Sequence, residues 1–281
     1  MTYANPAGTA RSIGADPAAR VESRLSASPF LAAPLRQLRY DSAELWAWDN
    51  YRAAVLGFAQ ACGQSGRVGA DGRVRLLEIG GGRGPLLTPH EAEAAGIALT
   101  VNDIDAHELS LAPAAFNKAQ FSVSGDVDPK WQGGFDLIVS RMVMEHVAGA
   151  PRAWRNMREL LAPGGVAMAF HPTLYCLPFV INWLMPERLT ARALQFFFPS
   201  RNDGDYPKFP ALYEMCFGDQ VKVAPILKGC GFSEALVVPF WGQRYFRHIP
   251  LLRDLDAAFN RLAERRDWRW CTSYAFTTAR R

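Results

Sequence analysis

The chain is organised around the run Leu76-Leu77-Glu78-Ile79-Gly80-Gly81-Gly82-Arg83-Gly84-Pro85-Leu86. A mostly apolar stretch from Val74 to Ile79, broken by Arg75 and by one acid, Glu78, enters glycines at alternate positions and then a proline. This reads as strand, tight turn and helix start. Alternating glycines let a ligand approach the main chain closely, and Pro85 suits the first turn of a helix. The N-terminus of that helix offers unpaired N–H groups and partial positive charge to an anion. The spacing is Glu-x-Gly-x-Gly-x-Gly. It departs from the nicotinamide pattern Gly-x-Gly-x-x-Gly because Pro85 stands where the third glycine belongs, and no Gly-Lys-Ser/Thr follows to make a P-loop. On this loop alone, an ordinary strand-to-helix turn stays open.

The rest of the chain gives the loop its context. A helix is expected over residues 42–62, where Trp48, Tyr51, Val55, Phe58 and Cys62 recur at steps of three and four and read as a packing stripe, with a ligand box as the alternative. After the glycine loop come a helix over 85–95, ended by Gly96, and strands at Ile97–Val101, Phe121–Ser124 and Phe135–Ser140. A helix over 151–161 stops at Ala162-Pro163-Gly164-Gly165, and Val166–Phe170 forms a fifth strand. Later come a strand at Glu234–Trp241, a helix over 250–264 and a final strand at about 271–278. Strand and helix alternate, which implies an α/β fold with a doubly wound, mostly parallel sheet. Such sheets bind ligands beyond the carboxyl ends of their strands. There stand Gly80, Asp103, Asp126, the run from Ser140, and His171.

Composition narrows the function classes. The chain has 281 residues, 49% hydrophobic and 21% charged, with a net charge of +4 and no Lys/Arg block that would read as a nucleic-acid footprint. Its five cysteines are isolated, and no His/Asp/Glu set has metal-ligand spacing, so neither a disulfide framework nor a metal is expected. Without a long apolar core at the N-terminus a signal peptide is not expected, and a cytoplasmic location fits. The most apolar run, Leu174 to Met185, is too short for a membrane span, which needs about 20 residues. Residues 1–36, rich in Ala, Pro, Ser and Arg, read as a mobile segment, and 37–281 as one domain.

Five motifs in order then resemble the class I S-adenosylmethionine-dependent methyltransferase family. They are Glu78-x-Gly80-x-Gly82-x-Gly84, the acid Asp103, the pair Gly125-Asp126, Phe135–Ser140 leading into Met144-Glu145-His146-Val147, and Leu160-Leu161-Ala162-Pro163-Gly164-Gly165. The resemblance covers residues 74–171 and implies a seven-stranded sheet with its last strand antiparallel, and S-adenosyl-L-methionine as cofactor, leaving S-adenosyl-L-homocysteine. It assigns cofactor contacts to Glu78, Gly80, Gly81, Gly82, Asp103, Ile104, Asp126, Val127, Ser140, Arg141 and Met142. Asp103 would take the ribose hydroxyls, Asp126 the adenine amino group with Val127 beside it, and Glu78 the glycine loop and the cofactor amino group. His146 and His171 are the candidate proton acceptors; each has a plain structural role as its alternative.

No Asn/Asp-Pro-Pro-Tyr or Pro-Cys signature of base-methylating enzymes is present, which points to a small organic acceptor. O-methylation is the preferred expectation. A catalytically silent cofactor-binding or scaffold protein, and an enzyme acting on a lipid-like or macromolecular acceptor, stay open. Residues 172–230 are too long for an ordinary connection and too aromatic to stay solvated. They are expected to form a lid in which Tyr206, Lys208, Phe209 and Tyr213 meet the acceptor, with a satellite core or a homodimer contact as the alternative. Nucleic acid and stable membrane insertion are not expected.

Overall fold

The computed structural model describes residues 28–36, 43–174, 176, 180, 210–243, 245–246 and 249–281, with only the backbone of 43–49. Seven strands form one sheet: β1 (Val74–Ile79), β2 (Ile97–Asp103), β3 (Asn117–Gln120), β4 (Phe135–Arg141), β5 (Leu161–Pro172), β6 (Glu234–Phe240) and β7 (Tyr274–Arg280). Their order is β3-β2-β1-β4-β5-β7-β6. β1 to β5 pair in parallel, while β7 runs antiparallel between β5 and β6. The described helices are α1 (Pro29–Arg36), α2 (Ala43–Gln64), α3 (Pro89–Ala94), α4 (Ala106–Ser110), α5 (Ala150–Leu160), α6 (Gln220–Gly229) and α7 (Pro250–Arg265). The seven-stranded, mostly parallel sheet and its antiparallel last strand are as expected.

The central strands are mostly apolar because they are buried on both faces. In β4 every residue from Phe135 to Ser140 is buried. Asp136 sits inside that strand, 1% exposed, and is answered by Arg75, whose Nη2 and Nε donate to its two oxygens at 2.8 and 3.0 Å. Pairing of this kind offsets the cost of burying a charge. α2 lays Tyr51 against Phe170 of β5 and Phe276 of β7, with ring centroids 5.6 and 6.2 Å apart.

Four local expectations are corrected. β3 covers 117–120 and not 121–124: it is an edge strand in which only Ala119 is buried, so it carries no apolar signature. Asn102 of β2 ties its end down, donating from Nδ2 to the Ala119 and Phe121 carbonyls at 2.8 and 3.0 Å. The helix after the glycine loop starts at Pro89, not Pro85. Thr88 and Glu91 form a capping box there, which satisfies the first N–H groups better than Pro85 could. The N-terminal boundary at residue 36 also shifts: α1 buries Leu31, Ala32 and Leu35 completely and belongs to the domain, while residues 1–27 lie outside the described residues. Within 172–230, residues 220–229 form α6, a helix packed on β6 and not part of a lid.

Candidate functional site

The glycine loop leaves β1 and crosses the carboxyl ends of β1 and β2, where Gly81 N–H donates to the Asn102 carbonyl at 2.9 Å. At two of its glycines a side chain would be strained. Gly80 has φ +67°, and a Cβ there would sit 2.5 Å from Val143 Cγ2. Gly82 has φ +44°, and its Cβ would lie 2.8 Å from Asp103 Oδ2. Both need the left-handed conformation and both need the empty space. Gly82 and Asp103, 21 positions apart in sequence, are thereby brought into contact.

Charged groups brace the loop. Glu78 is 2% exposed and accepts the Leu86 N–H on both carboxylate oxygens, at 2.8 and 3.1 Å. Burial pushes its pKa up to about 7, against the pull of that N–H and of Arg141. Arg83 grips Glu108 of α4 with Nε and Nη2, and Arg141 Nη2 reaches the Gly84 carbonyl at 3.4 Å. Burial also raises the Asp103 carboxyl above its ordinary range, while the N–H groups of Asp105 and Ile104 draw it back. Asp105, not Asp103, caps α4, accepting from His107 and Glu108 N–H. Asp103 is thus left to face the loop. Ile104 beside it is 57% exposed.

Asp126 follows β3 and is fully exposed; its Oδ1 takes Arg152 Nη2 at 2.5 Å. The turn before it is held by Asn156, whose Nδ2 donates to the Val123 and Gly125 carbonyls, both at 2.8 Å. Gly125, Asp126, Val127, Arg152 and Asn156 line part of a cavity of about 210 Å³. At the end of β4, Ser140 is buried with its Oγ unpartnered. Met142 then turns with φ +56°, its N–H on the Phe170 carbonyl at 2.8 Å. Strained non-glycine backbone of this kind costs about 1–3 kcal/mol and tends to gather at functional sites.

The 3₁₀ turn Met144–His146 comes next. His146 Nδ1 lies 2.9 Å from the Pro210 carbonyl and Nε2 lies 3.8 Å from Glu145 Oε1. Glu145 is 3% exposed, its Oε2 has no partner, and burial pushes its pKa up to about 8. Its carbonyl takes the N–H groups of Leu212 and Tyr213. Tyr213 itself is buried with φ +55°. His171 is 2% exposed. Its Nε2 meets Thr277 Oγ1 at 2.9 Å and its Nδ1 the Pro172 carbonyl at 3.1 Å, and burial lowers its pKa to about 4. It is neutral at physiological pH, with both ring nitrogens engaged.

The structure therefore brings together Glu78, Gly80, Gly81, Gly82, Asp103, Ile104, Ser140, Arg141 and Met142 at the carboxyl edges of β1, β2 and β4. Asp126 and Val127 stand beyond β3, His146 beyond β4, and His171 is sealed into the sheet between β5 and β7. Tyr206, Lys208 and Phe209 lie outside the described residues. Sequence reasoning passed over the Arg83–Glu108 brace and the buried acid Glu145, and preferred packing to ligand contact for Tyr51. The buried acid could have been suspected from Glu145 standing among apolar residues; the other two depend on contacts remote in sequence. Among the described residues no helix is long and apolar enough to cross a membrane.

A family model described as a methyltransferase domain matches residues 30–204. The ubiquinone biosynthesis O-methyltransferase of Caulobacter sp. (strain K31) is 31% identical over 139 residues, covering 43% of this chain and 53% of that protein. The chain thus spans about half the length of the curated relative it matches. Among solved structures, phosphoethanolamine N-methyltransferase 2 of Haemonchus contortus, in complex with S-adenosyl-L-methionine, aligns with a TM-score of 0.49 at 13% identity, over 93% of this chain and 57% of that one. Geranyl diphosphate C-methyltransferase of Streptomyces coelicolor A3(2) aligns with a TM-score of 0.49 at 10% identity, over 83% of this chain and 76% of that one.

Proposed function

This chain belongs to the class I S-adenosylmethionine-dependent methyltransferase family, and we propose that it transfers the methyl group of S-adenosylmethionine to a small organic acceptor, by preference to an oxygen. One observation carries the reading. Gly80 to Gly82, Asp103 and Asp126 stand in line beyond three neighbouring strands, β1, β2 and β3. An elongated ligand with an amino-acid end, a ribose and an adenine fits that line. The residues present suit it: Gly80 and Gly82 keep clear a cradle that a Cβ would fill, and the half-buried Asp103 can accept two ribose hydroxyls. Asp126 is on the solvent side to meet an amino group. Bound there, the cofactor supplies an electrophilic sulfonium methyl.

The chain's own contribution is alignment and exclusion of water, and alignment alone can be worth about 7–11 kcal/mol. O-methylation also needs a destination for the hydroxyl proton. His146 serves that reading: with its Nδ1–H given to the Pro210 carbonyl, Nε2 holds the lone pair. The Caulobacter relative, named as an O-methyltransferase, supports oxygen as the acceptor atom.

A second reading, a lipid-like acceptor, has one specific observation behind it. At the same end of the sheet, beyond β5 and β7, lies a cavity of about 370 Å³ with Cys176, Val180, Phe246, Phe259 and Trp270 among its walls. Mostly apolar concavities of this size hold small organic ligands.

The test is mass spectrometry of ligands that co-purify, then titration of the protein with S-adenosylhomocysteine and with NAD, and a labelled-methyl assay on metabolite extract. Binding of the first ligand and not the second, with a methylated product, is expected. His146→Ala should lower turnover more than cofactor affinity. A protein that binds NAD, or binds the cofactor and yields no methylated product from any extract, overturns the proposal.

A further inference from the structure

We propose that the Tyr51 hydroxyl, contributed by α2 outside the sheet motifs, is a binding group for the amino-acid end of the cofactor, acting beside Arg141. The inference rests on the S-adenosylmethionine reading above. Tyr51 is 1% exposed, and its hydroxyl is buried with no hydrogen-bond partner. Its ring is wedged between Phe170 and Phe276, so the hydroxyl cannot swing out to water. Packing alone would be served as well by phenylalanine. Buried tyrosine hydroxyls normally find a partner, and an orphaned one carries the full cost of its desolvation.

The register shows which face of the sheet the ring lies on. Phe170, which the ring covers, is paired with Arg141, and Glu78 is paired with Val139, two residues before Arg141. Side chains two apart share a face of a sheet. Tyr51, Glu78 and Arg141 therefore share one face at the carboxyl ends of the strands, with Arg141 Nη2 on the Gly84 carbonyl and Glu78 on the Leu86 N–H. Glu78 and Arg141 are also the two charged groups whose fields reach the phenol, which burial keeps protonated and hence a donor. A phenol donor, a guanidinium and a carboxyl side by side complement an α-amino acid. Its carboxylate meets Tyr51 and Arg141, and its ammonium meets Glu78.

Calorimetric titration of wild type and Tyr51→Phe with two ligands tests this. S-adenosylhomocysteine has the amino-acid end; 5′-methylthioadenosine lacks it. Tyr51→Phe should bind S-adenosylhomocysteine about tenfold or more weakly, as for a lost hydrogen bond to a charged group. It should bind 5′-methylthioadenosine like wild type, and its ligand-free melting temperature should be unchanged or higher, because an orphaned group has been removed. Unchanged S-adenosylhomocysteine affinity, or an equal loss for both ligands, overturns the inference while leaving the cofactor reading intact. A wild-type protein that binds neither ligand overturns both.

Discussion

Gly82 and Asp103 should behave as one unit, and Gly82→Ala exposes that. The substitution places a methyl group 2.8 Å from Asp103 Oδ2, on backbone at φ +44°. Left-handed backbone costs a non-glycine residue about 1–2 kcal/mol, which should appear as lost stability. The contact then drives the Asp103 carboxylate from its position. If that carboxylate holds the ribose hydroxyls, cofactor affinity should fall by about 1.5–3 kcal/mol, or roughly ten- to a hundredfold, as in Asp103→Ala. The double variant should be no weaker than the worse single variant, because both remove the same interaction. Gly84→Ala is the control: its φ is not left-handed and no atom lies within 4 Å of the added Cβ, so stability should hold or rise slightly. Calorimetric titration with S-adenosylhomocysteine and thermal unfolding of these variants beside wild type give every quantity. Additive losses in the double variant, or wild-type affinity in Gly82→Ala, would refute the coupling.

Glu145 makes stability fall as pH rises. Its pKa is about 8 in the fold against an ordinary 4.5. Its contribution is fully present below about pH 4.5 and is lost as pH climbs through about 8. Glu145→Gln, which cannot ionise, should match wild type near pH 5 and exceed it near pH 9 by up to a few kcal/mol, since each tenfold change in proton affinity is worth about 1.4 kcal/mol; parallel melting curves across that range would contradict this. Arg75→Met strands the buried Asp136 carboxylate at the starts of β1 and β4, away from the site. It should cost about 3 kcal/mol, the low end for a broken buried pair because Arg75 is one-third exposed, with cofactor affinity unchanged. Chemical denaturation alongside a cofactor titration separates the two effects.

The parts of this molecule legible in sequence are those whose signal is local. β1, β2, β4 and β6 are mostly apolar runs because they are buried, and their ends mark where Asp103 and the glycine loop must lie. β3 escaped because an edge strand needs only one inward residue, here Ala119. The start of α3 was written in Thr88-Pro89-His90-Glu91, but a proline nearer the glycines competed for the same role. Tyr51 was visible as an aromatic at helical spacing; its orphaned hydroxyl arises only once α2 meets β5 and β7. Arg83 and Glu108 are likewise 25 residues apart and gain a role only when the loop closes. Asp126 was readable as a candidate site residue, while its pairing with Arg152 was not.

The place of β7 between β5 and β6 sets the order in which this fold can assemble. β6 and β7 are neighbours in sequence, joined through α7, so they can pair early. Docking β7 onto β5 unites groups such as His171 and Thr277, 106 residues apart. Contacts that remote close slowly. Until they close, β5 offers an apolar open edge, the kind that recruits another chain. A newly made copy of this protein is therefore most prone to aggregate after β1 to β5 have formed and before β7 arrives, and dilution or a chaperone that shields strand edges should raise its yield most at that stage.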